Sequence, residues 1–417
     1  MVAPAGIYRN TLLQAVHFGP GTISSSLPSA IETLNLKNKK AFILTGKSLA
    51  TKTSVITNIQ SILDSHGYYS GETYYDIGEH APVAGIREAV ERIKKSNADV
   101  IVAVGGGSPI DAAKAVSFYR HQEEHGEQSA RDPATHPDLF IPTIAVPTTL
   151  SVAETTQNAG FKSDDGHKIG VSSRNLVPRA IIYDAELSLH TPEKLWLSTG
   201  IRALDHAVEY LYRPDTHPLV RSSVQSAIRE LFTYLPLSKK DAKDVDVRQR
   251  LQLACFNSLW PEARMGALGL SHGLGHKLGA TYGIGHGITS CITLGPTVKF
   301  MSQWKHTPLL HLQNLADSLP FIPAPYNPSP TPLGAPVGTI SEKNISEQQL
   351  QELRNKVSLV GDAIQKLVDD LGLHSTLKGC GLGREETEVV ATKVTGEDEK
   401  GGEFWQGVKG ILDSAYE

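Results

Sequence analysis

The sequence predicts a two-part chain, an α/β half built on a parallel sheet over residues 1–187 and an all-helical half over 188–417. Length is the first reason, because 417 residues exceed one ordinary hydrophobic core. The second is the alternation of short apolar runs with helical patterns up to about residue 187. The third is a change near Thr191, after which helix follows helix.

In the first half, AFILTG (Ala41 to Gly46) reads as a buried strand followed by a helix through Ile56 to Leu63. YYDIG is a second strand candidate, and Gly85 to Lys95 has helical spacing. ADVIVAVGGGSPIDAAKAV then gives a nearly continuous apolar strand, a glycine turn and a helix from about Pro109. FIPTIAVPTT and RAIIYD supply further strands. Strand, helix, strand, glycine turn, helix is the order of a parallel α/β sheet. Two stretches interrupt the pattern. Residues 121–138 are polar and read as a surface excursion, and residues 320–341 are too rich in proline for a helix.

Composition narrows the function. Charged residues are 20% of the chain and the formal net charge is -4, so nucleic acid is not an expected partner. The three cysteines, Cys255, Cys291 and Cys380, are too few and too scattered for a disulfide framework. That suits a reducing, cytoplasmic setting. The N-terminus has no basic flank leading into an apolar core, and no window approaches roughly 18 apolar residues. Neither a signal peptide nor a membrane anchor is expected.

Two groups of residues carry chemistry. Gly105, Gly106, Gly107 and Ser108 join a strand to a helix, where bare backbone N–H groups and the helix start favour a phosphate. Pro147, Thr148 and Thr149 end another buried strand and would line the same crevice. A plain tight turn is the competing reading of the glycines. The second group is SHGLGHKLGATYGIGHG, in which His272 and His276 are four apart on one helical face and His286 follows ten residues later. Converging imidazoles point to a cation site, an acid/base site or both.

GGGSPIDAAK, AVPTT, GIRALDHAVE and HGLGHKLGATYGIGHG, in that order and spacing, resemble the iron-containing alcohol dehydrogenase family. FGPG (Phe18 to Gly21) fits the same family, and HAPV (His80 to Val83) and HGLGHKLG look closest to its maleylacetate reductase branch. The resemblance implies a Rossmann-like nucleotide-binding domain, a helical domain of the dehydroquinate synthase type, and a cleft between them. There NADPH or NADH would exchange hydride with a small carbonyl substrate. A homodimer is implied by analogy.

Carried over residue by residue, the resemblance places the pyrophosphate on Gly105, Gly106, Gly107 and Ser108, with Asp111 close by. Thr148 and Thr149 would meet the ribose and nicotinamide, with Lys168 a further contact. NAD-specific relatives place an Asp after the first strand. This sequence has Gly46 and Lys47 there, which permits a 2′-phosphate and tilts the expectation toward NADPH.

His206, His272 and His286 match the family's three metal-binding histidines, for iron or zinc, but the position of its Asp ligand is Arg202. Four residues before His206, Arg202 shares its helical face, and its charge opposes a divalent metal. Asp205 is expected to pair with Arg202 or to face elsewhere, not to replace the ligand. Three readings of Arg202 follow: it is paired and inert, three histidines and water still bind a metal, or Arg202 takes over the metal's electrostatic task. The favoured reading is the last, a metal-free site in which Arg202 steadies the developing alkoxide, His276 or else His286 donates the proton, and His206 and His272 orient the carbonyl. The rivals are a metal-dependent dehydrogenase, a lyase or isomerase with no net redox change, and a binding protein with no activity.

Overall fold

A computed structural model describes residues 10–76, 83–162, 168–213, 217–261, 269–327 and 345–417. In the α/β half the strands are β1 (Ala15–Phe18), β2 (Ala41–Thr45), β3 (Tyr69–Tyr74), β4 (Val100–Gly105), β5 (Thr143–Pro147), β6 (Asn158–Lys162), β7 (Lys168–Ser172) and β8 (Ala180–Tyr183). Six of them form a sheet in the order β1-β8-β5-β4-β2-β3, every pair parallel. β6 and β7 make a separate antiparallel hairpin. The helices of this half are α1 (Ile23–Thr33), α2 (Lys47–Lys52), α3 (Val55–Ser65), α4 (Val83–Ser96), α5 (Gly107–His125), α6 (Glu127–Arg131) and α7 (Ala185–Ser188).

β2, β4, β5 and β8 are buried along their whole length, which is why they read as unbroken apolar runs. Ile43, Val102, Val104 and Ile182 face α1 and α3 on one side. Phe42, Ile101, Ala103 and Ile181 face α4 and α5 on the other. Asp184, just past β8, fixes the start of α1 by accepting from Gly21 N and Ile23 N, each at 2.9 Å.

The other half contains α8 (Glu193–Leu211), α9 (Pro218–Lys240), α10 (Val245–Ser258), α11 (Leu270–Tyr282), α12 (His286–Gln303), α13 (Leu309–Ala316), α14 (Glu347–Asp370), α15 (Glu386–Thr395) and α16 (Glu403–Ser414). α8 is its axis, buried from Trp196 to Leu211. No helix among the described residues is long and apolar enough to cross a membrane.

Some local expectations change. The third strand is Tyr69–Tyr74, ahead of YYDIG, because its half-exposed pattern YSGETY gives little apolar signal. The polar stretch after residue 121 continues α5 and then forms α6. Its first residue, His121, is 1% exposed and stacks on Phe140 at 4.0 Å. Leu319–Phe321 forms a short 3-10 turn, and the rest of the proline-rich stretch from 328 lies outside the described residues, as do His80 to Pro82.

Candidate active site

The sheet order sets the first half of the site. β2 leads outward to β3 while β4 leads the other way to β5, so the crevice at the carboxyl ends of β2 and β4 is the switch point where nucleotides bind on such sheets. Gly105 ends β4 with φ +137°, a conformation side chains rarely adopt. Gly106 and Gly107 press on the turn after β5. An added Cβ would lie 3.0 Å from Thr149 Cγ2 at Gly106 and 3.1 Å from Ser151 Oγ at Gly107. Thr148 N donates to Gly105 O at 2.9 Å, locking the two turns together. The glycines thus form a cradle that any side chain would fill, which fits a dinucleotide pyrophosphate.

The remaining candidates of this group fall in different places. Ser108 lies in the first turn of α5, next to the cradle. Asp111 turns toward the hairpin, with Oδ2 accepting from Gly160 N at 3.4 Å and Oδ1 3.5 Å from Lys114 Nζ. Lys168 opens β7 opposite Lys162, and its side chain lies outside the described residues. Gly46 follows β2 beside the cradle, and Lys47 Nζ is 3.3 Å from Asp76.

The second half is built on α8, α11 and α12. Arg202, Asp205, His206 and Glu209 follow one another at helical spacing, so α8 presents them along one stripe. α11 carries Ser271, His272 and His276, and α12 begins at His286. The four imidazoles run as a string. Ring centroids are 4.8 Å apart for His206 and His272, 6.2 Å for His272 and His276, and 5.9 Å for His276 and His286. His206 and His272 are buried, His286 is half-buried and His276 is exposed.

Two carboxylates that the sequence reading did not place in the site organise it. Glu209 Oε1 accepts from Ser271 N at 2.6 Å and His272 N at 3.3 Å, capping α11, and from Tyr212 OH at 2.7 Å. Its Oε2 is 2.7 Å from His272 Nδ1, and Asp205 Oδ1 is 3.3 Å from the same nitrogen. Asp205 Oδ2 accepts from Ser290 Oγ at 2.6 Å, Ser271 Oγ at 3.2 Å and Arg202 Nη1 at 3.4 Å. Arg202 Nη1 also donates to Ser290 Oγ at 3.2 Å. Asp205 and Glu209 stand three and seven residues after Arg202, on the face it shares with His206, and that spacing was the signal available for them.

Charge follows from this geometry. Burial pulls the His272 imidazole down and Arg202 adds to that pull, yet Asp205 and Glu209 overcome both and hold it above its ordinary value. Burial would raise Asp205, but His272, Arg202 and the Ser290 hydrogen bond bring its carboxyl below the usual range. His206 is driven well below the imidazole range by burial first and then by His272, Arg202 and His276, so it stays neutral. Burial also lowers Arg202, though a guanidinium remains charged in any protein setting.

This set can be tested against the family's metal. Asp205, Glu209 and His272 offer ligand atoms within 4.8 Å of one another. Those carboxylates, however, already balance the Arg202 guanidinium and the His272 imidazolium. With two basic groups set against two carboxylates, a divalent ion at this cluster would add a third cation. A divalent ion at Asp205, Glu209 and His272 would therefore compete with Arg202 and with a proton on His272 for the same carboxylates. A cavity of about 560 Å³ between α12, α14 and α16 includes none of these groups.

Known proteins are consistent with this architecture. The profile for iron-containing alcohol dehydrogenases matches residues 14–185, and the C-terminal profile of the same family matches 196–406. Dehydrogenase FUM7 of Gibberella moniliformis is 31% identical over 65% of this chain and 68% of its own length. A maleylacetate reductase of Sphingobium indicum is 30% identical over 55% of each. The chain thus spans about half to two thirds of the length of these relatives. The crystal structure of maleylacetate reductase from Agrobacterium tumefaciens superposes with a TM-score of 0.74 over 99% of both chains at 20% identity, so it shares the fold. The chain belongs to the iron-containing alcohol dehydrogenase family of oxidoreductases.

Proposed function

We propose that the protein is an NAD(P)H-dependent reductase of a ketone or enone on a small acidic substrate, similar to maleylacetate reductase, working without a divalent metal. The observation that carries this reading is the buried Arg202 at the family's anionic ligand position, its charge matched by Asp205 at 3.4 Å. Gly105, Gly106, Gly107 and Ser108 hold the pyrophosphate, with Thr148 and Thr149 beside the ribose and nicotinamide. When bound, the nicotinamide supplies the hydride. Arg202, fixed by Asp205 and Ser290, attracts the substrate's carboxylate or carbonyl oxygen and stabilises negative charge on that oxygen. His276 delivers the proton to it, and its exposure lets water recharge the ring. His286 stands next in line for that task at 5.9 Å between ring centroids.

A second reading is favoured by one observation. His206 Nδ1 and His272 Nε2 are buried with no hydrogen-bond partner among the described residues, so His206, His272 and His286 with water would be the ligands of a metal-dependent alcohol dehydrogenase. Elemental analysis of the purified protein, with NADPH oxidation on maleylacetate before and after chelation, separates the two. The proposal expects no stoichiometric iron or zinc, turnover that survives chelation, and a loss of roughly 10²–10³ in kcat for Arg202→Ala. Stoichiometric metal with turnover abolished by chelation overturns it in favour of the second reading. A substrate converted with no net NADPH consumption would point instead to a lyase or isomerase.

A further inference from the structure

The edge of the nucleotide crevice has an acidic residue, on a different strand from the one where the sequence was searched for it. Gly46 follows β2 with φ -90° and ψ 147°, an extended conformation open to any residue. A Cβ there would meet only Pro109 Cγ, at 3.9 Å, an ordinary contact. Neither backbone nor packing requires glycine at this point, so its effect is to leave space beside the phosphate cradle. Asp76, just past β3, forms an isolated backbone bridge to Gly46. Its carboxylate is 3.3 Å from Lys47 Nζ, and the two side chains are 58% and 72% exposed. The sheet puts β2 directly beside β4, with Thr45 opposite Val104, so Gly46 and Asp76 border the cradle on the side away from β5.

We propose that Asp76 and Lys47 together set the choice between NADH and NADPH, with Asp76 supplying from β3 the ribose-facing carboxylate that Gly46 lacks. This rests on the dinucleotide reading of the Gly105 to Gly107 cradle. The chemistry of the two cofactors differs at one place, a ribose 2′-hydroxyl or a 2′-phosphate. A carboxylate accepts hydrogen bonds from the ribose hydroxyls and repels the phosphate, whereas an ammonium attracts the phosphate. An exposed ion pair is weak and easily exchanged. A 2′-phosphate therefore takes Lys47 from Asp76, while a ribose leaves the pair intact and uses the carboxylate. The pair makes the site tolerant of both cofactors, and removing either member makes it selective.

The test is binding of NADPH and NADH to the full-length protein, followed by nicotinamide fluorescence or calorimetry, for the wild type, Asp76→Asn and Lys47→Gln. Asp76→Asn should raise the preference for NADPH roughly tenfold, and Lys47→Gln should lower it by a similar factor. The NADPH preference of Asp76→Asn should also shrink with added salt, because it rests on an exposed charge pair. Both variants alter exposed side chains, and circular dichroism checks that they fold. If the wild type binds neither cofactor, the dinucleotide reading itself fails. If it binds them and both variants keep the wild-type ratio within about a factor of two, the assignment of Asp76 and Lys47 is overturned while the cradle stands.

Discussion

Glu209 is the residue whose removal should do most damage to the helical half of the site. Its Oε1 accepts from the backbone N–H groups of Ser271 and His272 and from Tyr212 OH, and its Oε2 lies 2.7 Å from His272 Nδ1. Glu209→Ala would leave the first turn of α11 without its acceptor, the buried Tyr212 hydroxyl without its partner, and the His272 imidazolium held by Asp205 alone. Loss of a carboxylate at a helix start costs about 1 kcal/mol. Breaking a buried charge pair by deleting one member costs about 3–5 kcal/mol. Because these contacts share one carboxylate they do not add fully, and about 4 kcal/mol is expected in all. Urea unfolding followed by circular dichroism measures it, with Glu209→Gln as the control that keeps an acceptor for Ser271 N and Tyr212 OH. The expected order of stability is wild type, then Gln, then Ala. An Ala variant within about 1 kcal/mol of wild type would mean that Glu209 neither caps α11 nor holds His272.

Two further substitutions probe how the halves of the site are held. Lys114 is fully buried, and its Nζ donates to Ala153 O at 2.5 Å, Asn158 O at 2.9 Å and Thr156 Oγ1 at 3.0 Å. Lys114→Met should cost about 2–4 kcal/mol, since three acceptors lose their donor while the expense of burying an ammonium disappears. Faster hydrogen exchange at Asn158 to Lys162 would localise the effect, and unchanged exchange there would contradict it. Gly287 is the point where α12 crosses α8, and an added Cβ would fall 2.7 Å from the Ser198 carbonyl carbon. In a helix Gly→Ala is ordinarily favourable by about 1 kcal/mol, but here the obstacle is backbone. Gly287→Ala should therefore destabilise by roughly 1–3 kcal/mol, and a variant with a higher melting temperature would show that the crossing is looser than the structure indicates.

Much of the fold was legible because burial on both faces leaves a mark in sequence. β2, β4, β5 and β8 show it as continuous apolar runs, and the glycine triplet marked the turn between β4 and α5. β3 and the β6–β7 hairpin left no such mark, since YSGETY and NAGFK are edge or paired strands rich in polar and small residues. The polar run after His121 misleads in the other direction, because one buried face suffices to keep a helix going while the other stays charged. At the site, the spacing of His272 and His276 announced the helix α11 that carries them. The functions of Glu209 and Ser290 were hidden, because a capping carboxylate and the helix it caps lie 62 residues apart. The stripe on α8 is local and could be read, whereas its meeting with α11 and α12 is a product of packing.

Arg202 and Asp205 make sense only together. A guanidinium placed alone in the 8% exposed setting of Arg202 would lose several kcal/mol of hydration with nothing to replace it. One turn along the same helix, Asp205 returns an opposite charge at 3.4 Å, and Ser290 adds a second acceptor at 3.2 Å. The same Asp205 carboxylate reaches His272 Nδ1 with its other oxygen, so the residue that makes Arg202 tolerable also orients the imidazole beside it. An acidic residue at 202 would join Asp205 and Glu209 as a third buried carboxylate beside a single imidazolium, a worse imbalance than the one Arg202 resolves. Arg202 is thus a cation carried by α8 itself, with Asp205 set against it on the same helix and Ser290 by the packing of α8 on α12.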